Sequence, residues 1–129
     1  LKHVAERMAR LVRETDTVAR LGGDEFVVIQ SGINAAGDAA KLAQRLIGSV
    51  SEKHFVSNDD VTVCVSVGIA LAPDDGDSPD RLLHAADSAL YTAKRNGGLR
   101  LNFHSVPMAM GRDKAEAWSN PVLWERDIY

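Results

Sequence analysis

The sequence predicts a mixed α/β (α+β) domain with one mainly antiparallel sheet flanked by helices. Three observations predict it. Segments with the period of a helix alternate with β-branched runs. Residues 61–72, VTVCVSVGIALA, are too uniformly apolar for a strand with one wet face, so that strand is expected to be central and covered on both sides. Finally, Gly22-Gly23-Asp24-Glu25 separates two short β-forming runs in the manner of a hairpin turn. With 129 residues, of which 45% are hydrophobic and 26% charged, the chain is long enough to bury one core.

Each element follows in order. LKHVAERMARLV has apolar residues at 1, 4, 8 and 11, one stripe of a helix, with no capping residue ahead of it. The chain therefore reads as starting inside a helix, and a preceding segment is expected. Residues 17–21 and 26–30 are the two arms of the hairpin. NAAGDAAKLAQRLIGSV, residues 34–50, places Ala39, Leu42, Ala43, Leu46 and Ile47 on one helical face, with Asn34 as the expected cap. Within the apolar strand, Gly68 implies a bulge or the close approach of another backbone. PDDGDS is a turn. Ser78 then caps a helix with Pro79 at its first position and Asp80 in its first turn; Leu82, Leu83, Ala86, Leu90 and Ala93 are the expected stripe, and Gly97-Gly98 the stop. Residues 99–103 return as a last strand. The tail, residues 104–129, contains Pro107, Gly111 and Pro121 but also Trp118, Leu123 and Trp124, and is expected to be an extension or linker behind a domain over residues 1–103.

Charge and composition exclude more than they assign. A formal net charge of -3 gives no broad attraction for nucleic acid or an anionic membrane, so neither is an expected partner. The single cysteine, Cys64, cannot form an internal disulfide and reads as a small buried hydrophobe in a reducing compartment. No stretch is long and apolar enough to span a bilayer and no signal-peptide core is present, so the expected location is the cytoplasm. His3, His54, His84 and His104 show no metal-ligand spacing, and Ser66 lacks a His–Asp partner pattern for nucleophilic catalysis.

The chemistry lies in the hairpin. Glycines without Cβ let a charged ligand approach backbone N–H groups, while the adjacent carboxylates would repel phosphate unless a divalent cation such as Mg²⁺ lay between them. Metal-assisted phosphate chemistry is the reaction type these residues suggest. Because side chains alternate along a strand, Asp24 and Glu25 can share an ion only if the chain bends between them, and further ligands must come from elsewhere. Taken alone, the four residues read better as a plain soluble turn, since Gly and Asp are favoured in turns for conformational reasons.

The surrounding sequence adds a family. RETDTVARLGGDEFVVI resembles the signature hairpin of the GGDEF-domain diguanylate cyclases, and the resemblance continues in order through VTVCVSVGIA and LLHAADSALYTAKRNG, covering residues 1–103. It implies a nucleotidyl-cyclase-like fold in which two GTP-loaded domains face each other as a homodimer and condense two GTP into cyclic di-GMP with release of pyrophosphate. By that resemblance Asp24 binds Mg²⁺ (or Mn²⁺) and assists deprotonation of the attacking 3′-hydroxyl. Glu25 supports the metal, Gly22 and Gly23 lie under the nucleotide, and Lys94 holds phosphate. RETD matches the family's RxxD inhibitory site, which implies that Arg13 and Asp16 bind the product. Without the resemblance, Lys94 is a cation at a helix C-terminus and Arg13–Asp16 an ordinary ion pair.

Two departures stand beside the match. The family has a strand ahead of this first helix that bears a metal-binding Asp and guanine-selecting residues, and this chain starts after it. Gly98 occupies the place where a second phosphate-binding arginine is expected, with Arg95 and Arg100 nearby. Three functions are therefore compatible: the larger part of a diguanylate cyclase domain, a degenerate module that binds cyclic di-GMP or GTP without turnover, or an interaction module with a vestigial hairpin. The intact Gly-Gly-Asp-Glu-Phe favours the first.

Overall fold

A computed structural model describes residues 2–50, 54–56, 59–61, 65–97 and 101–104. The elements run α1 (Lys2–Leu11), β1 (Thr17–Gly22), β2 (Glu25–Ile29), α2 (Ala36–Val50), β3 (His54–Val56), β4 (Asp59–Val61), β5 (Val67–Ile69), α3 (Pro79–Arg95) and β6 (Leu101–Phe103). Their order is that expected from the sequence except for the β3–β4 pair, which the sequence did not predict. Among the described residues the strands pair in three ladders: β1 with β2 and β3 with β4 are antiparallel, and β5 with β6 is parallel. The parallel pair closes a β5-α3-β6 crossover, the usual way to join parallel neighbours. Of the apolar strand expected over 61–72, residues 62–64 lie outside the described residues; among the described ones Val61 ends β4 and Val67–Ile69, with β6 beside it, forms β5.

The core sits between α2 and the ladders. Ala36, Ala40, Ala43 and Ile47 of α2 pack on Ile69 of β5 and on Leu101 and Phe103 of β6. A second cluster joins Met8 of α1 to Leu42, Leu46 and Val50 of α2, with Val18, Phe26 and Val28 of the hairpin against it. Val65 touches both. α1 and α2 thus bury the stripes that their 3.6-residue period sets out, and the hairpin rests on both through alternate residues. Two arginines tie the helices together: Arg7 Nη1 donates to the Ser49 carbonyl at 2.6 Å and Arg45 Nη2 to the Leu11 carbonyl at 2.9 Å.

On its other face β5 meets α3 at very short range. A Cβ built on Gly68 would lie 2.1 Å from the Ala86 carbonyl oxygen and 2.4 Å from the Leu90 nitrogen, so the close backbone approach implied by this glycine is that of α3. The same closeness corrects the expected stripe of α3. Its buried residues are Ala85, Ala89 and Ala93, whereas Leu83 is 41% exposed. A helix this near a strand has room for methyl groups and not for leucines.

The helix ends obey local chemistry. Ser78 Oγ accepts the Arg81 N–H at 3.3 Å, Pro79 follows as N1, and Gly97 leaves the helix with φ +109°. At α2 the expected cap is corrected. The Asp38 carboxylate accepts the N–H groups of Asn34 and Ala35, so capping comes from inside the first turn and not from the Asn34 side chain. Cys64, Gly98 and residues 105–129 lie outside the described residues.

Candidate functional site

The hairpin ladder runs from Thr17 opposite Ile29 to Gly22 opposite Glu25, with a register shift between Arg20 and Gly22 that leaves Leu21 as an extra residue, 60% exposed. Pairing therefore reaches further toward the tip than residues 17–21 and 26–30 imply, and the loop shrinks to Gly23 and Asp24. Such a bulge turns the end of a strand without breaking the pairing below it. Gly22 has φ +150° and Gly23 φ +53°, conformations that side chains with Cβ rarely adopt. Above both glycines there is open space: no atom lies within 4 Å of a built Cβ.

Asp24 occupies the turn and Glu25 opens β2. The bend between two carboxylates, which sharing one ion demands, is thus present, and both residues are exposed. They supply adjacent oxygen donors suited to a hard cation such as Mg²⁺, but only part of the six ligands it takes. Among the described residues no group of three or more His, Cys, Asp or Glu side chains is placed to hold a metal. A cation held by this pair would take its remaining ligands from substrate oxygens, water or residues outside those described.

Arg20 is a participant that inspection of the motif missed. Its Nε and Nη2 donate to the Gly23 carbonyl at 2.9 and 2.5 Å, a two-pronged grip across the turn. Since carbonyl and N–H point oppositely in a trans peptide, this grip sends the Asp24 N–H away from the guanidinium. The only sequence signal is the spacing of three residues, which becomes meaningful once the two-residue loop is known.

Below the other end of the hairpin lies the Arg13–Asp16 turn. The Arg13 N–H donates to Asp16 Oδ2 at 2.9 Å, the Asp16 N–H donates to the Arg13 carbonyl at 2.9 Å, and Arg13 Nε stands 3.6 Å from the same Oδ2. The two side chains are very unequally exposed, Arg13 by 56% and Asp16 by 1%, and Asp16 Oδ1 is buried with no hydrogen-bond partner. A buried carboxylate oxygen without a donor is unfavourable unless something supplies one.

Lys94 is exposed on the last turn of α3, which packs on β5 and β6. Arg13 and Asp16 are brought together, as are Gly22, Gly23, Asp24 and Glu25, whereas no hydrogen bond or ion pair joins Lys94 to the hairpin among the described residues. Arg95 stacks over the Tyr91 ring at 5.8 Å. A shallow cleft of about 340 Å³ lies elsewhere, lined by Asp75, Asp80, Arg81, His84, Ala85 and His104, and contains none of the residues singled out from the motifs.

Comparison with known proteins bears directly on this hairpin. The family model described as "Diguanylate cyclase, GGDEF domain" matches residues 1–100. The chain is 45% identical over 97 residues to the bifunctional diguanylate cyclase/cyclic di-GMP phosphodiesterase MucR of Pseudomonas aeruginosa, covering 75% of the chain and 14% of MucR. It is 38% identical over 117 residues to the diguanylate cyclase TpbB of the same organism, covering 88% and 27%. The chain thus spans about a seventh and a quarter of these relatives. The crystal structure of the TpbB GGDEF domain superposes with a TM-score of 0.77 at 37% identity, over 81% of this chain and 65% of that one. The GGDEF domain of DgcB from Caulobacter crescentus, solved in complex with c-di-GMP, superposes at 0.65 with 29% identity, over 80% and 61%. The architecture is accordingly the α/β nucleotidyl-cyclase-like one, and with a tip of two glycines and two carboxylates, a model match over most of its length and these neighbours, the chain belongs to the GGDEF diguanylate cyclase domain family.

Proposed function

We propose that this chain is the larger part of a diguanylate cyclase domain whose protein condenses two GTP into cyclic di-GMP as a homodimer in the cytoplasm. Residues 1–103 carry the domain and residues 104–129 an extension or linker. The observation that supports it most is the tip, where two glycines leave open space and two exposed carboxylates stand on either side of a bend. A triphosphate fits that space because no Cβ intrudes, and the Arg20 grip keeps the Gly23–Asp24 peptide in one orientation under it.

In the reaction, the 3′-hydroxyl oxygen of each GTP forms a bond to the α-phosphorus of the other, and each α-phosphorus loses its bond to the β-phosphate bridge, giving one cyclic di-GMP and two pyrophosphates. Asp24 and Glu25 would hold a divalent cation, Mg²⁺ or Mn²⁺, which neutralises charge on the phosphates. Asp24 assists removal of the hydroxyl proton, and Lys94 binds phosphate. Because each domain presents one hairpin, two copies must face each other for both bonds to form. The Arg13–Asp16 turn binds the product: the arginine fork suits phosphate or a guanine edge, and the buried Asp16 Oδ1 lacks a donor such as a guanine N–H supplies.

The test is chromatography of the products formed from GTP and Mg²⁺ by the full-length protein, with residues 1–129 alongside. Cyclic di-GMP from the full-length protein is expected. Absence of product from a dimeric preparation at saturating GTP would overturn the proposal in favour of a binding module.

A further inference from the structure

We propose that Ser31 is a positioning residue for ligand binding at the Arg13–Asp16 turn, an inference that rests on the reading of that turn as a cyclic di-GMP site. The hairpin ladder pairs Thr17 with Ile29, and the same register carried two residues outward sets Thr15 opposite Ser31. Here the strands have ended, yet the pairing continues through a side chain: Ser31 Oγ donates to the Thr15 carbonyl at 3.0 Å. The Ser31 carbonyl in turn accepts from Arg13 Nη2 at 2.9 Å. One residue therefore straps the turn at both its middle and its arginine.

The consequence concerns how the arginine is presented. Arg13 is more than half exposed, and an unrestrained guanidinium would lose rotamer freedom on binding. With Nη2 on the Ser31 carbonyl and Nε beside Asp16 Oδ2, the fork is pinned at two points. An arginine has five N–H donors, so the Nη1 pair and one Nη2 hydrogen remain for a phosphodiester or a guanine edge. Thr15 lies between Arg13 and the buried Asp16, so the Ser31 hydroxyl also fixes the offset between the donor fork and the partnerless Asp16 Oδ1. Ser31 touches neither the Gly-Gly-Asp-Glu tip nor α3 in any described contact, which separates this role from turnover.

Isothermal titration of cyclic di-GMP into the full-length protein, Ser31→Ala and Ser31→Thr tests it, with thermal melts and initial rates on the same samples. Loss of one hydrogen bond is expected to weaken binding by Ser31→Ala roughly two- to tenfold, with the melting temperature lowered by no more than one hydrogen bond accounts for, the uninhibited rate unchanged, and Ser31→Thr, which keeps the hydroxyl, restored to wild-type binding. Wild-type binding by Ser31→Ala, or a Ser31→Thr protein as weak as Ser31→Ala, would overturn the role of Ser31 while leaving the product site standing. Failure of the wild-type protein to bind cyclic di-GMP would remove the product site itself and this inference with it.

Discussion

Gly23 at the hairpin tip and Gly68 in β5 are glycines for opposite reasons. Gly23 has φ +53° and empty space where a side chain would be; Gly68 has no such backbone constraint, but a side chain there would meet the main chain of α3 at 2.1 Å. The first is glycine for its conformation, with open space that the proposed function fills with a nucleotide; the second is glycine for packing alone. The hairpin tip is exposed and little of it is buried in a core, whereas β5, β6 and α3 contribute Ile69, Leu101, Phe103, Ala85, Ala89 and Ala93 to the interior. The chemistry proposed for the tip sits where little stability is at stake, whereas β5, β6 and the buried face of α3 serve stability.

This contrast can be broken by substitution. Asp24→Asn removes a carboxylate that is exposed and part of no core cluster, so cyclic di-GMP formation by the full-length protein should fall by more than about a hundredfold with an unchanged denaturation midpoint. A large drop in that midpoint would show that the tip is structural. Gly68→Ala should behave inversely, lowering the stability measured by chemical denaturation by about 3 kcal/mol, since the helix backbone must retreat. If Gly68→Ala melts like wild type, β5 and α3 are further apart than described.

Smaller effects sharpen the comparison. Gly23→Ala places a Cβ in a left-handed conformation and should lose about 1–2 kcal/mol, whereas Gly23→Asn, better tolerated there, should lose less; equal losses would point away from φ as the cause. Turnover by both variants should fall by more than that instability explains, because any side chain enters the space assigned to the nucleotide. Ser78→Ala deletes the cap of α3 and is expected to reduce stability by about 1 kcal/mol with turnover intact, as thermal melts and initial rates would show.

Features written in adjacent residues were legible. Ser78, Pro79 and Gly97 delimit α3 through groups that act on their own neighbours, and the Gly-Gly-Asp-Glu turn locates the hairpin in the same way. Features that depend on distance were not. Leu83 outranks Ala85 on any measure of hydrophobicity, yet the alanines are buried because Gly68, some twenty residues earlier, brings a strand so near that only a methyl group fits. Asn34 precedes the helix and is a good cap by type, but the chain enters α2 so that the Asp38 carboxylate reaches back to the Asn34 and Ala35 N–H groups.

By itself the sequence determined the three helices, the hairpin and their order, the family and the residues of the tip, because local backbone preference and hydrophobic period act over a few residues. Only the tertiary structure decided that Asp16 is buried while Arg13 beside it is open, and that Arg20 grips Gly23. It alone set Ser31 against Thr15, sixteen residues away in the chain. Burial and hydrogen-bond partners are properties of which segments meet, and pairing register and packing distance set those meetings with no trace in the residues on either side.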